Sequence, residues 1–273
     1  MGYKVLDILK ELPGTNCREC GKPGCFAFAT GFYLDGASFG GCPHLSPEKL
    51  ADMERKLAES RGQGAGKKEA SHVQALNHLK TKIKECDFAA MAKNSGVEYV
   101  PGPPETLLIP FMGRPHKLTA GDVVAVDAPE PSVWVKVFLY IYVTRATGAP
   151  PLGRWATFRE LPNAVAKSKT YEDKVMAVAS HFAERGEELL AAARNLGGIP
   201  LEFGSADSAW LFAALPKVEL VLLYWKGGEE FPARTTLLVD AGVLDYLDHE
   251  AIVFLAEAFV KLLTGGDVSE VIP

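Results

Sequence analysis

Four of the chain's five cysteines lie within its first 42 residues, as Cys17, Cys20, Cys25 and Cys42, spaced C-x2-C-x4-C-x16-C. Thiols this crowded have three ordinary fates: two disulfides, a four-cysteine zinc site, or an iron–sulfur cluster. Disulfides fit poorly, because the opening Met1-Gly-Tyr-Lys-Val-Leu-Asp brings an acid where a secretion signal needs an apolar run, and reducing cytoplasm keeps such thiols free. Zinc ribbons use two C-x2-C knuckles of similar shape, and only Cys17-Arg-Glu-Cys20 has that form. A [4Fe–4S] cube takes one thiolate per iron, commonly three from a tight loop and one from farther along the chain. Gly21 and Gly24 suit that loop, since a backbone wrapped around inorganic sulfide needs positive φ angles and close approach. Backbone N–H groups in such a turn can also donate to the sulfides. The iron–sulfur reading is favoured, with zinc and free thiols behind it.

The run Cys17-Arg-Glu-Cys-Gly-Lys-Pro-Gly-Cys-Phe-Ala-Phe-Ala, followed by Gly41-Cys-Pro, resembles the small [4Fe–4S] module at the N-terminus of the corrinoid iron–sulfur protein large subunit. The same module occurs in the B subunit of a membrane-bound ferredoxin-oxidising complex. The family pattern, C-x2-C-G-x-P-x-C-x-A-F-A and then a late C-P, is met at every one of those positions over about residues 3 to 50. The resemblance implies ligation by Cys17, Cys20, Cys25 and Cys42, a low potential and one-electron transfer.

Around these cysteines, Val5, Ile8, Leu9 and Leu12 recur at helical spacing before Pro13-Gly14, which predicts a short amphipathic helix. Phe26 to Leu34 predicts a second helix ending near Gly36, and Phe26, Phe28, Phe32 and Tyr33 are expected both to form a core and to shield the cluster from water. His44 follows the fourth cysteine by two residues and is expected at the surface or behind the ligands, since four thiols already fill the site.

The remaining chain reads as α+β. With 29 basic against 34 acidic residues, a net charge of −5 argues against non-specific nucleic-acid binding. The most apolar stretch, Val133 to Val143, is too short to span a bilayer, so a cytoplasmic protein without a membrane partner is expected. The predicted division is a [4Fe–4S] cluster-binding domain over 1–59, a Gly- and Lys-rich flexible linker over 60–70, and an α+β domain over 71–273. A helix is expected from Ser71 towards Met91, with Cys86 on it as a small buried hydrophobe. Short strands are expected at Glu98–Val100, Thr106–Phe111, His116–Leu118 and Val123–Val126. Val133 to Thr144 is expected to be a buried helix, and Tyr171 to Asn195 helical with a break near Gly186. Val218–Trp225 and Ala233–Val239 are expected as a hairpin, and Asp248 as the cap of a final amphipathic helix.

The stretches Pro151-Leu-Gly-Arg-Trp-Ala-Thr-Phe-Arg-Glu-Leu-Pro, Leu223-Tyr-Trp-Lys-Gly-Gly-Glu-Glu-Phe-Pro-Ala-Arg and Tyr246-Leu resemble an uncharacterised α+β domain family of anaerobes, DUF3786-like. That resemblance implies boundaries and no chemistry. No dinucleotide, P-loop, zinc-protease or nucleophile-elbow motif occurs. His72 and His78 fall on different sides of a helix, and Glu229 and Glu230 read as solvated carboxylates at a turn. Arg154 and Arg159 sit in a turn-rich loop suited to an anion or to capping a pocket.

The leading expectation is an electron-transfer protein that exchanges one electron with a protein redox partner, by resemblance a corrinoid or one-carbon system. A bound corrinoid is a further possibility, although no corrinoid-binding signature is visible. One alternative is an iron–sulfur enzyme reducing a substrate held in the C-terminal domain. Another is a non-redox sensor or structural cluster. Catalytic residues and oligomeric state are not legible.

Overall fold

The computed structural model describes residues 3–35, 41–183, 185–228 and 231–268, leaving aside the side chains of 34–35 and 61–71. The chain divides into two units, Met1–Ser71 and His72–Pro273.

The first unit is helical. α1 (Val5–Glu11) stops because Leu12, preceding Pro13, is driven to extended backbone at φ −85° and ψ 155°. α2 (Cys25–Asp35) follows the cysteine loop, and the first turns of α3 (Pro47–Ile83) complete the unit. Ile8 and Leu12 pack with Phe28, Ala29 and Phe32 and with Met53 and Leu57, each set on one helix face. Glu11 ties the helices by ion pairs to Lys49 and to Lys56, the latter at 3.1 Å, while the Tyr3 hydroxyl donates to it at 2.9 Å. Burial works against that charge, but the two ammonium groups and the hydroxyl outweigh it and hold the Glu11 carboxyl below the usual range.

Two helix expectations need correcting. Residues 60–70, expected as a flexible linker, have helical backbone within α3. Gly62, Gly64 and Gly66 each cost a helix about 1 kcal/mol relative to alanine, but the alanine, lysine, glutamine and glutamate between them are good helix formers. Packed turns on either side, through Met53 and Leu57 and through Leu76 and Ile83, supply what composition alone undervalues. The helix expected to reach Met91 instead ends at Ile83, and α4 (Phe88–Ser95) starts anew. Asp87 causes the restart: its carboxylate accepts the Ala90 N–H at 3.0 Å as an N-cap. Cys86 therefore lies between helices, its thiol donating to the Lys82 carbonyl at 3.5 Å while its side chain packs against the core.

In the second unit, β1 (Glu98–Val100), β2 (Thr106–Phe111), β3 (Arg114–Leu118) and β4 (Val123–Ala125) form an antiparallel meander. The β2–β3 turn has φ +48° at Met112 and +75° at Gly113, the two positive angles that a two-residue hairpin loop demands. α5 (Val133–Arg145) is apolar around most of its circumference and is accordingly buried. Its Lys136 is the exception, paired with Asp122 at 2.8 Å and Glu130 at 2.6 Å.

A second antiparallel sheet comprises β5 (Trp155–Thr157), β6 (Ile199–Leu201), β7 (Ser208–Leu215), β8 (Val218–Trp225) and β9 (Arg234–Asp240), in the order β5-β9-β8-β7-β6. β5, β6 and β7 were not expected from the sequence. The helices α6 (Val165–His181), α7 (Gly186–Asn195) and α8 (His249–Leu263) complete the α+β unit, with α6 on β9 and α8. Asp248 caps α8, accepting the Ala251 N–H at 2.9 Å. The Met112 N–H donates to the Ala214 carbonyl at 2.9 Å, joining the two sheets. Phe111, Phe138 and Phe254 pack in succession as tilted rings, 5.1 Å between centroids at each step, through the shared core.

Candidate metal centre

The cysteine loop is built from residues that tolerate left-handed backbone. Gly14, Asn16, Arg18 and Gly21 all have φ between 51° and 74°. Glycine does this freely, and asparagine with less strain than most residues. The succession coils the chain from Pro13 to Cys25 into a tight cup. Gly24 is needed for space, since a Cβ there would lie 2.9 Å from Asn16 Oδ1. That same oxygen accepts the Cys25 N–H at 2.8 Å, so the Asn16 amide fixes the start of α2 and with it the third thiol.

Cys17, Cys20, Cys25 and Cys42 all line one pocket of about 270 Å³, counted to its open side, whose apolar wall includes Leu12 and Phe28. All four thiols are free of disulfides. Cys20, Cys25 and Cys42 pack against the small core, whereas Cys17 is exposed. Four thiols facing one space, with left-handed turns beneath them, are the donor set and cradle that an iron–sulfur cluster requires, so the residues present fit such a group.

The exposed side has its own polar group. His44 Nε2 lies 2.8 Å from Glu19 Oε2, and the ligating atoms of Cys17, Glu19 and His44 lie within 4.8 Å of one another. The Glu19 backbone N–H, then the Thr15 hydroxyl and His44, hold the Cys17 thiol below its ordinary value. The hydrogen bond to Cys17 and the charge of Glu19 in turn raise His44. His44 thus sits beside the first cysteine, where it can orient the sulfur.

The aromatic shield is smaller than expected. Phe28 and Phe32 are buried with ring centroids 5.9 Å apart, but Phe26 is 59% exposed and Tyr33 is 37% exposed. At 100° per residue, Phe28 and Phe32 share a helix face while Phe26 points away from it. Asn16 and the Glu19–His44 pair carried no motif-level signal, because their roles depend on backbone angles and on loop closure.

Elsewhere, Arg159 lines a groove in the second unit and Arg154 is not among its walls. The loop carrying both is held by Asp240, whose buried carboxylate accepts the N–H groups of Leu152 at 3.0 Å, Gly153 at 2.7 Å and Gly242 at 2.8 Å. The His72 ring packs at a tilt against Trp134, centroids 4.6 Å apart, and His78 is exposed. Glu229, Glu230 and Gly36 lie outside the described residues. Among the described residues no helix is long and apolar enough to cross a membrane.

Four free thiols lining one pocket on a small helical module are the donor set of an iron–sulfur site. Residues 12–44 match the family described as "Putative Fe-S cluster". Residues 87–262, more than half of the chain, match the family described as "Domain of unknown function (DUF3786)", and the chain belongs to that family. Over the N-terminal region it is 43% identical across 55 residues to the acetyl-CoA decarbonylase/synthase complex subunit gamma of Methanocaldococcus jannaschii, covering 20% of this chain and 11% of that relative. It is 40% identical across 74 residues to the subunit gamma 1 of Methanosarcina thermophila, covering 24% and 16%. It is 49% identical across 41 residues to the corrinoid/iron-sulfur protein large subunit of Moorella thermoacetica, covering 15% and 9%. The chain thus spans a small fraction of the length of these curated relatives, all within its cysteine-bearing end. No solved structure matches.

Proposed function

We propose that Cys17, Cys20, Cys25 and Cys42 hold a [4Fe–4S] cluster and that the protein is a one-electron carrier for a protein partner in anaerobic one-carbon metabolism. The observation that carries this reading is the convergence of all four thiols on one apolar-backed pocket. When bound, such a cluster supplies storage for a single electron at low potential. The chain's own residues account for the rest. Asn16 and Gly24 set the loop, Leu12 and Phe28 exclude water from one side, and Cys17 with His44 leaves the other side open towards solvent. An open edge at one ligand is what electron exchange with a docked protein needs, since contact there shortens the transfer path. The named relatives are a subunit of a complex and a corrinoid/iron–sulfur protein, which supports a protein partner in the same chemistry. The Phe26 ring, next to Cys25 in the sequence, is 59% exposed and offers apolar surface on the same module.

The test is a redox titration of anaerobically purified protein followed by electron paramagnetic resonance. Reduction is expected to produce about one unpaired spin per chain, lost on reoxidation and regained on a second cycle. A cluster that cannot be cycled would remove the carrier reading and leave a structural or sensing one.

A further inference from the structure

At the open side of the cysteine loop, Cys17, Glu19 and His44 bring a thiol, a carboxylate and an imidazole together, with ligating atoms all within 4.8 Å of one another. Two local turns build this group. Arg18 takes a left-handed φ of +66°, and the Gly21 N–H closes the turn on the Arg18 carbonyl at 2.9 Å, so Glu19 is folded back beside Cys17. At the far end of the loop the Leu45 N–H closes a second turn on the Cys42 carbonyl at 3.0 Å, with His44 inside it. A residue carried by the fourth cysteine therefore reaches the first.

The four thiols are not equivalent. Cys20, Cys25 and Cys42 are half-buried against the small core, and Asn16 braces the Cys25 N–H, whereas Cys17 is exposed and stands outside that core. Such a set has one corner at which a replacement donor can reach the metal, and His44 is placed there. Its Nε2 lies 2.8 Å from Glu19 Oε2, and both side chains are exposed. A histidine whose Nε2–H is taken by a carboxylate carries its lone pair on Nδ1, the arrangement in which imidazoles ligate metals. Imidazole suits iron, and in place of thiolate it raises a cluster's potential.

We propose, on the four-cysteine [4Fe–4S] reading above, that Cys17 is the exchangeable ligand of the centre and that His44 is the donor that replaces it. Glu19 is the positioning residue that aims the ring. In the exchange the bond from Cys17 sulfur to iron breaks, the thiolate takes a proton from solvent, and a His44 nitrogen lends its electron pair to the same iron. No electron enters or leaves. The chain thereby offers two ligand sets and two potentials, the higher belonging to the set that contains His44.

Anaerobically purified full-length protein provides the test, with Cys25→Ala as the comparator. Cys17→Ala is expected to keep about four irons and four sulfides per chain, whereas Cys25→Ala falls below that. In reduced Cys17→Ala, pulsed electron paramagnetic resonance is expected to show a coupled histidine nitrogen, and the midpoint potential is expected to lie above the parent's. Adding His44→Ala to Cys17→Ala is expected to abolish the nitrogen coupling and to bring iron down to about three per chain or fewer. His44→Ala alone should keep the parent's iron, since all four thiols remain. In the parent, iodoacetamide is expected to alkylate Cys17 at least about tenfold faster than Cys20, Cys25 or Cys42, the sulfur displacing iodide while iron content stays unchanged. A parent without iron and sulfide would overturn the four-cysteine reading and this one together. A parent with four irons whose Cys17→Ala variant loses them as Cys25→Ala does, or keeps them whether or not His44 is present, would overturn the exchange alone.

Discussion

The two units solve the problem of stability by different means. The second has 52 buried apolar residues in one continuous core among its described residues, two antiparallel sheets, and buried polar groups such as Lys136 and Asp240 that are met by partners. The first has seven buried core side chains among its described residues, Ile8, Leu12, Phe28, Ala29, Phe32, Met53 and Leu57, and its cysteine loop lacks regular structure. A core that small rarely holds a fold alone, and natural modules of this size rely on metal or disulfides. The contrast teaches that a cluster held by the four thiols, as proposed, would support the first unit's fold as well as supply its chemistry, whereas the second unit's core needs no metal.

The largest expected effect tests that division directly. Chelating iron from the full-length protein under anaerobic conditions is expected to remove amide protection from residues 3–59 while leaving residues 87–263 protected, as read by hydrogen exchange. Loss of protection in both would mean a single cooperative fold. The converse experiment attacks the large core. Phe138→Ala, which breaks the ring succession between Phe111 and Phe254, is expected to destabilise the second unit by about 3–5 kcal/mol in denaturant titration and to leave iron content unchanged.

A smaller effect is expected at Asp240. Replacing it with asparagine weakens the acceptor for three backbone N–H groups. About 1–3 kcal/mol should be lost, with faster exchange confined to the loop around residues 151–154. The smallest is a pH effect at His116. Burial chiefly, and beside it the Arg114 guanidinium, outweigh the carbonyl of Arg114 and hold the ring below its ordinary pKa. The unfolded chain then binds a proton that the folded one refuses, so stability rises with pH, is complete above the unfolded value of about 6.5 and is lost as pH falls below it. Urea midpoints between pH 5.5 and 7.5 should show this slope, and His116→Asn should flatten it. An unchanged slope in the variant would assign it to other groups.

The same contrast explains what could be read in the sequence. The four short strands from Glu98 to Ala125 were legible because short apolar runs, β-branched in β1, β2 and β4, are punctuated by glycine and proline, and α5 because its apolar run is long for a strand. β7 was not, since Ser208-Ala-Trp-Leu-Phe-Ala-Ala-Leu has neither alternation nor β-branched side chains. Pairing with β8 and core contacts on Trp210 and Phe212 make it a strand. β5 was hidden inside a turn-rich loop and exists through its pairing with β9 and the grip of Asp240 on the preceding N–H groups. At the metal centre the cysteines announced themselves by spacing. Asn16 did not, because a side chain bracing Cys25 from nine residues away leaves no periodic trace.

The most direct test of the metal centre is the iron and acid-labile sulfide content of anaerobically purified protein, in the parent and in two cysteine variants. The expected result is about four irons and four sulfides per chain, lost or degraded in Cys20→Ala and unchanged in Cys86→Ala. Stoichiometric zinc without sulfide, or equal losses in the two variants, would contradict a four-iron cluster held by Cys17, Cys20, Cys25 and Cys42.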